Sequence, residues 1–420
     1  MPSEPVESAP LIGEPPILPE PPPPNQLEWR ERFHGLDILR TWAMLLGIYL
    51  HGVFSFIPGN GDWLVHDNQA HDGFRDSLLL IHGFRMQLFF VLAGFFARLV
   101  RLRIGAWRYL GRRMVRIGVP FLLGMIVLGP MVYFIWQWGV DVHGTVEDSE
   151  LGRIPKTLAK CPTAHLWFLQ YLLCLYVVAF LLDPFMWLFT RGWLGRFFDF
   201  LASTFMRIPL KTLILPFVVI WFLLPKSSGE HSDVMMSGRA FVPLVGGLGY
   251  YAIFFFFGWA LHRGVGRLPA LGRVSQLILH GLSIPLVVWA FHHFRENAWD
   301  YIDPRAGNPQ ARAMFVYYYL YSVYTWSMIF FTIGLTMRLF KRRRAKVEYM
   351  ADASYFFYWL HFPVVLPLQV IVARWDTNGI LKVVWIVGIA CLMMWPIYHF
   401  GVRYTWVGRI FNGRRERAVT

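Results

Sequence analysis

The sequence predicts an all-α fold: a polytopic transmembrane helix bundle of about ten spans, with both termini cytoplasmic. Three observations carry this. Apolar runs of about 20 residues recur along the chain, each long enough to cross the hydrocarbon core of a bilayer. Only 16% of the 420 residues are charged and 56% are hydrophobic, where a soluble domain carries about 25% charged residues. Lys and Arg cluster in alternate loops, as the positive-inside rule requires.

The chain opens with a Pro-rich tail over 1–30, including the run Pro21-Pro22-Pro23-Pro24. That composition cannot bury apolar surface, so the tail is expected to be a disordered cytoplasmic segment. It lacks the charged-then-apolar order of a signal peptide, so the first apolar run should remain in the mature chain. A single membrane domain is expected over 31–412, followed by a basic cytoplasmic tail over 413–420. Length and flanking charge place the spans at 36–57, 77–99, 117–139, 164–189, 209–225, 241–262, 274–294, 313–339, 354–373 and 380–402.

Charge orients them. One set of loops carries Arg101, Arg103, Arg108, Arg112 and Arg113, then Arg191, Arg196 and Arg207, then Arg263, Arg267 and Arg273, and the run Lys341-Arg342-Arg343-Arg344. The other set is more acidic, with Asp62, Asp67 and Asp72, with Glu147, Asp148 and Glu150, and with Glu296, Asp300 and Asp303. The net charge of +14 is thus explained by membrane topology, and nucleic acid is not expected as a partner. The three cysteines, Cys161, Cys174 and Cys391, have neither metal-ligand nor redox spacing. No metal site is expected, because no convergent ligand pair is evident. No internal repeat is visible, which weakens a transporter reading.

Ionisable groups inside spans are costly and mark function when they face a cavity. Arg40 and His51 lie in the first span with ten residues between them. Eleven helical steps return to nearly the same face about 16 Å further on, so both would line one cavity. The plainer reading is a snorkelling anchor and a satisfied core histidine. Arg113 and Arg116 stand one turn apart at the start of the third span. They are either positive-inside charge or a grip for an anionic ligand. His165 and Trp167 open the fourth span, as an interfacial aromatic belt or a binding wall. Ser354, Tyr358 and His361 share one stripe of the ninth span, as interhelical hydrogen-bonding groups or a polar cavity face. Trp63, Trp299 and Tyr301 near the acidic side are interfacial anchors or platforms for sugar rings.

These segments together resemble the acyltransferase-3 superfamily of integral membrane acyltransferases. The resemblance rests on the Arg40–ten residues–His51 pattern within Gly35-Leu36-Asp37-Ile38-Leu39-Arg40, and on Leu88-Phe89-Phe90-Val91-Leu92-Ala93-Gly94-Phe95, where Ala93 replaces a frequent Ser. Arg113-x-x-Arg116, the His165 segment and the Ser354-to-His361 segment follow in family order over about 33–412. The final stretch, Arg403 to Arg409 with Asn412-Gly413, looks most like the glucan biosynthesis protein C branch.

The resemblance implies an enzyme of the bacterial inner membrane. It would move an acyl group, succinyl in that branch, from cytoplasmic acyl-CoA to a hydroxyl of a periplasmic glucan. Acyl-CoA would be a cosubstrate, and no prosthetic group is implied. Arg40, Arg113, Arg116 and Ser354 are then expected at the donor, with Asp37 orienting Arg40. His51 is the expected general base, with Tyr358 and His361 as further catalytic groups. His165 and Trp167 are expected to bind substrate. The resemblance assigns no basic residue to the distal carboxylate of a succinyl group; Arg85, in the second span near the exterior side, is a candidate for it by position alone. An acyl-histidine intermediate and direct transfer both fit. The rival readings are an O-acetyltransferase of O-antigen or another surface polysaccharide, a proton-coupled transporter or glycan exporter using Arg40 and His51, and a membrane scaffold.

Overall fold

A computed structural model describes residues 34–59, 63–143, 161–188, 211–224, 241–299, 309–340 and 344–412, with a few isolated positions between 193 and 200. The expected tails, Glu147, Asp148, Glu150, Asp300, Tyr301 and Asp303 lie outside those residues. Among the described residues the fold is helical, and nine helices are long and apolar enough to cross a membrane. They are α1 His34–Phe56, α2 Asp72–Ile104, α3 Ala106–His143, α4 Ala164–Leu181, α6 Val245–Gly266, α7 Val274–Phe294, α8 Ala313–Leu339, α9 Ala345–Val372 and α10 Gly379–Val402. The segment expected at 209–225 is shorter: α5, Lys211–Leu223, in two pieces that meet at Leu215 and Pro216. A terminal helix, α11, covers Trp406–Asn412.

Helix direction settles how often the chain crosses. Near the start of α6 and midway along α2, Gln87 donates to the Tyr250 hydroxyl at 3.1 Å. Near their ends, the Phe95 and His262 rings lie 5.1 Å apart. The two helices are therefore parallel, and an even number of crossings separates their starts. α2, α3 and α4 supply three, so a fourth lies between α4 and α6, and α5 sits on that path. Its Lys211 ammonium lies 4.7 Å over the Phe330 ring, two thirds of the way along α8, and its Phe222 lies over Gly249 at the start of α6.

The same test makes α1 and α9 parallel. Arg40 donates to the Ala351 carbonyl at 3.2 Å, and Gln369 donates to the His51 and Gly52 carbonyls at 2.7 and 3.1 Å. α10 returns antiparallel to α9, bringing Tyr398 to 5.7 Å from Tyr349. The start of α1 and the end of α10 thus share one end of the bundle. That end carries Arg40, Arg101, Arg113, Arg338 and Arg403, while Asp67, Asp72 and Asp76 lie at the other.

Close backbone approach sets the spacing of α2 and α6. A Cβ on Gly94 would collide with the Phe255 carbonyl, and one on Gly258 with the Val91 carbonyl. The contact is reciprocal, as expected where membrane helices pack through small residues. At the acidic end, the link between α1 and α2 is tied to α10. Lys382 donates to both Asp67 carboxylate oxygens at 2.9 Å, and both side chains are 0% exposed.

Candidate active site

Four residues of α1, Arg40, Met44, Gly47 and His51, follow one another at steps of four, three and four and form a single stripe. All four line cavities. The first is an open vestibule at the basic end of the bundle. It is walled by Arg40, Arg113, Arg116, Tyr176, Tyr355 and Phe411. The second lies deeper, is far tighter, and holds His51, Arg85, His165, Trp167, Tyr358 and His361. Met44, Phe89 and Phe168 line both, so the two chambers adjoin across these three side chains.

In the vestibule Arg40 stands 3.5 Å from the Asp37 carboxylate. Arg113 donates to the Phe96 carbonyl at 3.3 Å, and its guanidinium lies 5.1 Å over the Tyr176 ring. Arg116 comes close through a local distortion. The turn Met114–Gly118 is π-helical, and Pro120 has no N–H to give to the Arg116 carbonyl four residues earlier. The Tyr355 hydroxyl donates to that carbonyl instead, at 3.0 Å. Ala93, where the family's hydroxyl is absent, is part of this wall.

The inner chamber is a cluster of imidazoles. The His361 ring lies 5.1 Å from His51 and 5.2 Å from His165. His361 donates from Nδ1 to the Tyr358 carbonyl at 2.6 Å, which leaves Nε2 buried with no partner. His165 donates from Nε2 to the Trp359 carbonyl at 3.0 Å, which leaves its Nδ1 buried with no partner. That carbonyl is free because Pro363, four residues on, lacks an N–H. His51 likewise has a buried Nδ1 without a partner. Next to His165, Ala164 has φ 46, the one non-glycine residue in the left-handed region among those described. Such strain costs on the order of 1 kcal/mol or more and collects at functional sites. Among the described residues no group of three or more His, Cys, Asp or Glu is placed to hold a metal ion.

Most of the residues singled out from sequence therefore converge on these two chambers, with two exceptions in detail. Ser354 is buried, donates to the Ala351 carbonyl at 2.8 Å, and lines neither chamber. Tyr358 lines the inner chamber, yet its hydroxyl donates to the His165 carbonyl at 2.6 Å. In this arrangement it positions His165 and is not a spare donor for an oxyanion.

Three residues escaped the sequence reading. Gly47 gives the Arg85 guanidinium its space. Gln369, 0% exposed, donates to the His51 and Gly52 carbonyls of α1 and accepts from Trp63 Nε1 at 3.1 Å. Trp63 in turn stacks on Phe54 at 4.5 Å, so it is packed wall. Pro363 frees the carbonyl that orients His165. A Gln in an apolar run is a usable signal for Gln369, and the i+7 step from Arg40 is one for Gly47.

A third cavity, mostly apolar, opens beside α3 at the far side of His165 and takes in Pro130, Phe134, Cys161 and Thr163. His165 thus separates it from the inner chamber.

A family profile described as an acyltransferase domain matches residues 33–399. Over 416 aligned residues, the chain is 26% identical to the glucans biosynthesis protein C of Escherichia coli O81 (strain ED1a), with 91% of this chain and 95% of that protein covered. Identity and coverage are the same for the protein of that name from Escherichia coli (strain K12). No solved structure matches. The helical membrane bundle, the vestibule of arginines and the histidine chamber accordingly belong to a member of the acyltransferase-3 family, an integral membrane acyltransferase.

Proposed function

We propose that the protein moves an acyl group, succinyl in the first instance, from cytoplasmic acyl-CoA to a hydroxyl of a periplasmic glucan, and that it does so in the bacterial inner membrane with its basic end cytoplasmic. The observation that carries this reading is the pair of adjoining chambers: three arginines at the basic mouth and three histidines one chamber deeper. Arginines are suited to the coenzyme's phosphates through charge-assisted, often bidentate bonds. The pantetheine arm is long and slender, and on this reading it passes between the Met44, Phe89 and Phe168 side chains that stand between the two chambers. The names of the relatives supply the glucan; positive-inside charge supplies the orientation.

The chemistry then balances as follows. A neutral His51 imidazole accepts the proton of the acceptor hydroxyl as its oxygen bonds to the thioester carbon. The tetrahedral adduct collapses with cleavage of the C–S bond, and the imidazolium returns the proton to the departing thiolate. No group is left on the enzyme. His165 and His361 hold the nitrogens they present to the chamber in fixed directions, His361 through the Tyr358 carbonyl and His165 through the Trp359 carbonyl.

The test is acyl transfer by purified protein in detergent with radiolabelled succinyl-CoA or acetyl-CoA and periplasmic glucan. Wild type is expected to label glucan from succinyl-CoA. His51→Ala is expected to lower kcat by at least ~100-fold with KM for the donor little changed. Label passing from acetyl-CoA alone would assign the chain to acetyl transfer. No label from either donor, in folded protein, would overturn the reading.

A further inference from the structure

Arg85 is the one guanidinium in the inner chamber, and it is 8% exposed. No Asp or Glu lines that chamber. Among the described residues its one hydrogen bond runs from Nη2 to the Met86 sulfur at 3.4 Å, a weak acceptor, and its Nε is buried with no partner. The fork lies in space that a side chain on Gly47 would fill. A guanidinium withdrawn from water with no anion beside it is strongly unfavourable. A bound ligand bearing a permanent negative charge removes that cost.

The donor's phosphates already have Arg40, Arg113 and Arg116 at the mouth. An oxyanion at the reacting carbon exists only in passing and carries no charge while the donor waits. The remaining place for a permanent anion is the far end of the acyl chain. We infer that Arg85 is the specificity-determining residue for the acyl group, selecting chains that end in a carboxylate. The inference rests on the acyl transfer proposed above.

Geometry limits the length. Gly47 lies one turn from His51, about 6 Å along α1. Two methylenes set a terminal carboxylate about 4 Å from a thioester carbonyl. A four-carbon dicarboxylic acyl group therefore reaches from a carbonyl beside His51 to the Arg85 fork, where two parallel N–H bonds can form.

The experiment compares binding of succinyl-CoA, acetyl-CoA and the neutral butyryl-CoA, without acceptor, and then kcat/KM for succinyl and acetyl transfer, in wild type, Arg85→Met and Arg85→Lys. Wild type is expected to bind succinyl-CoA at least ~10-fold more tightly than butyryl-CoA. In Arg85→Met the succinyl-to-acetyl ratio of kcat/KM should fall by at least ~30-fold, and Arg85→Lys should keep part of it. Equal binding of the succinyl and butyryl thioesters to wild type would overturn the inference. So would an unchanged ratio in Arg85→Met with both transfers reduced alike, which would put Arg85 on the shared carbonyl. If wild type transfers no acyl group, the function proposed above fails, and the binding comparison on the unaltered protein still decides the role of Arg85. That comparison also decides it if Arg85→Met does not fold.

Discussion

Pro120 and Pro363 each withhold an N–H from the carbonyl four residues earlier, and a side chain from another helix takes the freed acceptor. Tyr355 takes the Arg116 carbonyl and His165 takes the Trp359 carbonyl. Pro363→Ala returns a helical N–H that competes with His165. We expect its kcat for acyl transfer to fall by ~10–100-fold, the scale of a small misplacement at a reacting centre. Its thermal stability should be equal or higher, since Pro in a helix interior is costly. Loss of stability together with activity would instead make Pro363 a packing residue. Much at this scale was legible: the Arg40–His51 spacing predicted one stripe, and the stripe exists. What could not be read is which neighbour stands opposite each position. Ser354, Tyr358 and His361 do share a direction about α9, but Ser354 meets its own backbone and the Tyr358 hydroxyl meets a carbonyl of another helix. Gly47 reads as an ordinary membrane-helix glycine until α2 is placed against it.

The spans themselves were legible from hydropathy, and their order and direction follow the alternation of charge. The exception is α5, where Pro216 interrupts an apolar run that otherwise reads as one helix. At the α2–α6 contact, the sequence showed Gly94 within a motif but gave no sign that Gly258 faces Val91 while Gly94 faces Phe255. Both carbonyls are backbone and cannot move aside. Gly94→Ala should therefore destabilise by ~1–3 kcal/mol or more, read as a lower midpoint of thermal unfolding in detergent. A midpoint within a degree of wild type would show that the helices separate without penalty. The buried Asp67–Lys382 pair gives a second element-scale expectation. Lys382→Met leaves a carboxylate without its partner and should cost ~3–5 kcal/mol. Adding Asp67→Leu should recover most of that loss, and failure to recover would mean that the pair acts through the shape of the link and not its charge.

Taken whole, the molecule is a bundle in which an arginine-walled vestibule at the basic end adjoins, across Met44, Phe89 and Phe168, a chamber of histidines buried among apolar helices. No sequence pattern displays the two chambers, because their walls come from α1, α2, α3, α4, α9 and α11 at once. The chambers separate two tasks. Arg113→Gln and Arg116→Gln should raise KM for the acyl-CoA donor with a smaller effect on kcat, and His51→Ala should do the reverse. A drop in kcat alone for the arginine variants would remove them from donor binding.

Transfer across the membrane is the central claim, and it is tested by protein reconstituted in sealed vesicles with labelled succinyl-CoA inside and glucan outside. We expect label on the external glucan from wild type, and none from His51→Ala. Label that reaches glucan only when donor and acceptor share one compartment would contradict passage of the acyl group through the adjoining chambers.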